Sequence, residues 1–196
     1  MNNKVQIIHT DNISWNKKPV GGQIAKINRL LPKNQIEVTL EQLFKLSISG
    51  HTILPARLEG NQRKKSSWKS QGVFCLDFDG DCTLADALDY AKTNGVTPNF
   101  YYHTFSSTED KNCFRFVYFL ANVVEDRELA LAFKKALYRV FKDFSPDKSP
   151  VKDLARFFYG TNKDGEIVNE KLYTCYEFLD RMNPIIMSQD GGRSRN

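Results

Sequence analysis

No apolar run in this chain approaches the roughly 20 residues that a bilayer-spanning helix requires, and the polar start MNNKVQ lacks the apolar core of a secretory signal. The sequence therefore points to the cytoplasm and to no membrane association. Cysteine is sparse. Cys75, Cys82, Cys113 and Cys175 include no CxxC pair, so neither a zinc ribbon nor a disulfide framework is indicated, and all four are read as reduced thiols. Only 11 glycines and 7 prolines punctuate the 196 residues, which excludes collagen-like and low-complexity chains. What remains is the make-up of one globular domain, 41% hydrophobic and 26% charged.

Charge of neither sign dominates. The 28 Lys and Arg against 23 Asp and Glu leave +5, which permits a polyanionic partner without demanding one. The distribution says more, because Arg57, Arg63, Lys64, Lys65 and Lys69 crowd just ahead of the most acidic motif in the chain.

The first 50 residues read as an extended start and two short helices, over 23–31 and from Thr39, where Gln42 completes a capping box. A strand is predicted over 52–58 and a polar loop over 59–70. Gly72-Val-Phe-Cys-Leu-Asp-Phe-Asp79 reads as a buried central strand, and Thr83 opens a helix that Gly95 closes. Phe100–Phe105 and Phe114–Leu120 read as a hairpin, and 125–144 as a helix with an apolar stripe. Lys163–Glu166 reads as a hairpin turn between short strands. The order β, α, β, β, α, β is that of a split, ferredoxin-like or RNA-recognition-like unit. The fold class is thus α+β, a mostly antiparallel central sheet with helices packed on it and a small N-terminal α/β layer. A single domain is expected over 1–185, with 1–50 subsidiary and 186–196 a disordered tail.

Asp77 and Asp79 stand two apart at a strand end, so both carboxylates leave the same side of the sheet. Such a pair raises a carboxylate pKa or recruits a divalent cation, and hard oxygen donors favour Mg²⁺ or Mn²⁺. The plain alternative is one acid capping the following turn with the other solvated. The string Asp77-Phe-Asp79-Gly80 resembles the nucleophile motif of haloacid-dehalogenase-type phosphatases, but Asp81 stands where they carry Thr or Val.

A second resemblance covers more of the chain. SWKSQGVFCLDFDG, YYHTFSSTEDKNCFRFVYFL and DKSPVKDLARFFYGT, in that order between Trp68 and Thr161, resemble the primase-polymerase domains of phage and plasmid replication proteins, members of the archaeo-eukaryotic primase superfamily. The resemblance implies a palm-like sheet and template-directed nucleotidyl transfer from NTP or dNTP on single-stranded DNA in a bacterial host, with Mg²⁺ or Mn²⁺. A replicative helicase or a helical domain is an implied partner. It implies metal-binding acids at Asp77 and Asp79 and a third at Asp147, with Asp153 as the competitor. The family's small-x-His motif is altered here, since Ser106-Ser107-Thr108 has no histidine two residues on. Nucleotide contacts are expected from Arg115, Ser106, Ser107, Arg156 and His103, the last also readable as a core or rim residue. Arg57, Arg63, Lys64, Lys65 and Lys69 are expected to hold strand phosphates, with a base on Trp68 unless that indole is a core anchor. His9 and His51 read as structural. A non-catalytic single-strand or origin-binding module is the alternative from another class, and the phosphatase a third.

Overall fold

In the computed structural model, which describes residues 4–149 and 151–191, the chain starts with a small antiparallel sheet. Strand β1 (Gln6–Ser14) lies between β2 (Gln35–Val38) and β3 (His51–Leu54), with helices α1 (Gly22–Leu30) and α2 (Leu40–Ile48) in the connections. The predicted capping box forms at α2. The Gln42 amide donates to the Thr39 hydroxyl at 3.3 Å, and the Thr39 amide donates to the Gln42 side chain at 2.9 Å. Pro55 divides the strand predicted over 52–58. With no N–H to give the ladder, it marks where the chain leaves the first sheet as β3 and enters the second as β4 (Ala56–Leu58).

The second sheet contains β4, β5 (Trp68–Asp79), β6 (Phe100–His103), β7 (Cys113–Val124) and β8 (Gly165–Ile167), in the spatial order β4-β5-β7-β6-β8. Every pairing is antiparallel. Helix α3 (Leu84–Thr93) follows β5, α4 (Arg127–Val140) follows β7, and α5 (Cys175–Gly191) closes the chain. Thr83 caps α3 through the Asp86 amide, and Asp126 caps α4 through the amides of Glu128 and Leu129. The predicted α+β class and the β, α, β, β, α, β order from β5 to β8 are both present.

Two expectations need correction. The turn at 163–166 does not join neighbouring strands. Its outgoing arm β8 pairs with β6, where Ile167 lies opposite Phe100, a long-range apolar pairing that overrides the local turn signal. The tail predicted from 186 is helical through Gly191, and residues 192–196 lie outside the described residues. Cys175, Phe178, Met182 and Ile186 form the buried stripe of α5, and that packing outweighs Pro184 inside the helix.

β5 reads as a continuous apolar run because both of its faces are covered. Phe74, Leu76 and Phe78 meet α4, with Phe74 and Phe133 ring centroids 4.6 Å apart. Val73 and Cys75 meet Ile8, Val38, Leu43 and Ile53 of the N-terminal segment. That segment is bolted onto the sheet, since the Gln6 amide donates to the Leu120 carbonyl at 2.8 Å. Gly72 permits this approach, because a Cβ there would lie 1.9 Å from Gln6 Oε1. Among the described residues no helix is long and apolar enough to cross a membrane.

Candidate active site

The register of the second sheet sets Asp77 of β5 opposite Arg115 of β7, and Arg115 opposite Tyr102 of β6. The three side chains therefore leave one face as a row across three strands. Arg115 Nε donates to one oxygen of Asp77, and Nη2 donates to the other at 3.1 Å. Nη1 donates to the Tyr102 hydroxyl at 2.6 Å and to the Tyr159 carbonyl at 2.8 Å. The guanidinium also lies 4.6 Å from the Phe158 ring centroid. Burial works against the Arg115 charge, but the Asp77 carboxylate beside it more than offsets that and raises its pKa. Of the five N–H groups of the guanidinium, these bonds use four. Arg115, expected to serve the triphosphate, is chiefly the clamp on Asp77.

Asp79 is the next residue on the same side of β5, and Gly80, at φ 103°, ends the strand behind it. Its carboxylate is exposed and makes no hydrogen bond or ion pair among the described residues. Although solvent reaches Asp79, its pKa is raised by partial desolvation at the strand end, then by the like charges of Asp77 and Asp147, against the pull of Lys111 and Lys18. Asp147 arrives from the segment after α4. Its amide donates to the Asp77 carbonyl at 2.9 Å beside an isolated bridge between Phe78 and Pro146. The Asp147 carboxylate accepts from the Ser149 amide at 2.8 Å and the Ser149 hydroxyl at 2.6 Å. Asp153 accepts from the Ala155 amide at 3.0 Å. Both candidates for the third acid line the same cavity, and Asp147 is the one whose charge raises the Asp79 carboxyl, whereas the Asp153 charge bears on Lys134.

These acids border a cavity of about 410 Å³. Its cationic lining comes from Lys18, Arg63, Arg115 and Arg156, and Phe105, Phe157 and Tyr159 supply aromatic surface. Ser106 lines it through an exposed position. Ser107 does not, because it is buried and its hydroxyl bonds to the His103 ring, the Lys111 carbonyl and the Cys113 amide. Ser107 and His103 thus hold the turn that presents Ser106. Trp68 is also a correction. It is buried in the core with its indole N–H on Gln71 at 3.2 Å, so it offers no face for a base. Arg57, Lys64, Lys65 and Lys69 are exposed and outside the cavity, and Arg63 is the member of the basic tract brought into it.

The donor set suits a hard cation, because Asp77, Asp79 and Asp147 are all oxygen donors and, after partial burial, the like charges of Asp77 and Asp147 bear on Asp79. Among the described residues no group of three or more His, Cys, Asp or Glu is arranged to hold a metal ion as it stands. Asp79 and Asp147 are the residues with oxygen lone pairs to spare, and Asp77 joins them with the lone pairs that Arg115 leaves.

The sequence reading missed Lys18 and Asn28, which reach the cavity from the N-terminal segment, because only tertiary packing brings that segment there. It also missed Lys134. This lysine is buried on α4 and donates to the Asp153 carbonyl at 2.8 Å. The signal was present, since Lys134 occupies the apolar stripe between Ala130 and Leu137 where a charge has no local reason to be.

No family model matches this chain, and no curated protein matches it. Among solved structures it is similar to the AEP domain of the primase-polymerase (PrimPol) of cyanophage S-2L. The identity is 11% and the TM-score 0.48, over 90% of this chain and 88% of that one.

Proposed function

We propose that this protein is a DNA-dependent primase-polymerase, a nucleotidyltransferase that joins NTP or dNTP units on a single-stranded DNA template. The observation that carries the reading is the meeting of Asp77, Asp79 and Asp147 at a cleft that also holds Asp153 and is lined by the cations Lys18, Arg63, Arg115 and Arg156. Acids grouped beside arginines and lysines suit a ligand that brings both a triphosphate and the cations bound to it.

Asp79 and Asp147, with Asp77, would hold Mg²⁺ or Mn²⁺. Bound there, the ions supply Lewis-acid activation of the attacking 3′-hydroxyl and charge stabilisation of the departing pyrophosphate. Arg115 pairs with Asp77 through two hydrogen bonds and fixes it in the sheet. Arg156 and Lys18 attract the triphosphate, the remaining Arg115 N–H can reach one of its oxygens, and Ser106 offers a hydroxyl donor. The bidentate hold of Arg115 on Asp77 favours a second reading, a single-strand-binding module without catalysis, because it reduces what Asp77 can give a cation. The chain would act in phage or plasmid replication in a bacterial cytoplasm, with a helicase as partner.

The test is incorporation of labelled NTPs and dNTPs on single-stranded DNA, with and without a primer, in Mg²⁺ and in Mn²⁺. Products that disappear in Asp79→Asn and Asp147→Asn but persist in Asp153→Asn support the proposal. Strand binding without product in either metal favours the binding module.

A further inference from the structure

Arg63 behaves unlike the rest of its basic tract. Lys64 and Lys65 are exposed, whereas Arg63 turns inward and lines the cavity. Its Nε donates to Asn28 Oδ1 at 2.8 Å and its Nη1 to the Ala155 carbonyl at 3.0 Å. Hydrogen bonds to a guanidinium lie in its plane, so these two fix the plane and leave its faces free for stacking. One face lies on Phe157, 4.9 Å from the ring centroid, and Phe157 is braced edge-on by Tyr159 at 5.4 Å. A cation required only to attract phosphate needs none of this. A planar cation backed by an aromatic ring and pinned at its edge is a platform for another flat, electron-rich ring.

We propose that Arg63, backed by Phe157, is a nucleobase-stacking subsite of the cleft; this deepens the polymerase reading and rests on it. The base belongs to the single strand or to the nucleoside triphosphate, and Arg156 in the same cavity meets the adjoining phosphate. The exposed lysines of the tract add sequence-independent attraction and no base recognition.

Binding is measured without divalent metal, so that it reads the subsite apart from synthesis. The probes are labelled oligothymidylate, an abasic oligonucleotide of the same length, and ATP. The proteins are the natural chain, Arg63→Lys, Phe157→Leu and the double variant Lys64→Ala with Lys65→Ala. The natural chain is expected to prefer the base-bearing strand by roughly 5- to 160-fold, the range for one stacked base. Arg63→Lys keeps the charge, so its salt dependence stays as in the natural chain while most of the preference disappears, and Phe157→Leu loses the preference as well. The double lysine variant binds both strands more weakly and retains the preference. If instead ATP binding weakens several-fold in Arg63→Lys and Phe157→Leu while the strand preference is kept, the base is that of the nucleotide and the subsite stands. Unchanged strand preference and unchanged ATP binding in both variants overturn the proposal. Should either variant fail to unfold cooperatively, Asn28→Ala, which releases the guanidinium edge without altering either stacking partner, carries the same comparison. A base preference that persists in a protein that makes no product would refute the polymerase reading and leave the subsite intact.

Discussion

The amide of Asp147 donates to the main-chain carbonyl of Asp77 at 2.9 Å, so the third acid is fixed to the central strand through backbone and not through its carboxylate. The Asp147 charge can therefore be removed without moving the chain. Asp147→Asn is expected to be at least as stable as the natural chain at pH 7 and to lower the titration of Asp79, whose carboxyl is held above the ordinary value of 3.8 by partial burial and the charges of Asp77 and Asp147. A carboxyl raised in the folded state contributes stability below the unfolded value and loses it as pH rises through the folded one. Carbon-13 NMR of the aspartate carboxyls checks this. An Asp79 titration that stays in place in Asp147→Asn would separate the two groups.

The acids of β5 should differ in what they do for stability. Asp77 and Arg115 are a buried pair, and removing one partner strands the other charge, at a cost of about 3–5 kcal/mol. Asp77→Ala is thus expected to be strongly destabilised. Asp79→Asn removes an exposed charge that its neighbours oppose, so it should be at least as stable as the natural chain at pH 7. Urea unfolding of both variants decides this, and equal midpoints would contradict the clamp. Asp79→Asn, not Asp77→Ala, is consequently the sound catalytic control.

The strand carrying Asp77 and Asp79 was legible because an apolar run ending in two acids has few other readings. So were the capping box at Thr39 and the cap at Thr83, which are local chemistry between residues three apart. The destinations of side chains were not. Nothing local says that Arg115 spends four N–H groups on Asp77, Tyr102 and Tyr159, since that follows from the register of three strands. Trp68 in a basic tract looks like a stacking residue until the β4-β5 pairing turns it into the core. Lys18 and Asn28 were invisible because their value arises only when the N-terminal segment folds over the second sheet.

Lys134 should leave a mark on the pH dependence of stability. Burial pushes its ammonium down to about 8, so the folded protein binds fewer protons than the unfolded chain between about 8 and 10.5. Stability from this group rises with pH across that window, by about 3 kcal/mol in total. Lys134→Met should lose this rise relative to the natural chain while also releasing the Asp153 carbonyl. Urea unfolding at pH 7 and pH 10 measures the difference, and an equal pH response in both proteins would contradict it.

Gly72→Ala tests whether the N-terminal segment is part of the same folding unit. Its added methyl collides with the Gln6 amide and should cost about 1–3 kcal/mol, the range for overpacking a core. Gln6→Ala in the same chain should restore part of the loss. A neutral Gly72→Ala in thermal unfolding would mean that the segment docks loosely.

The most direct test of the central claim is template-coded incorporation. On oligo(dT) offered all four labelled nucleotides with Mg²⁺ or Mn²⁺, the protein should incorporate adenine nucleotides alone, and Asp79→Asn, folded and still binding the strand, should incorporate none. Incorporation that ignores the template, or that survives Asp79→Asn, would contradict the assignment of the site.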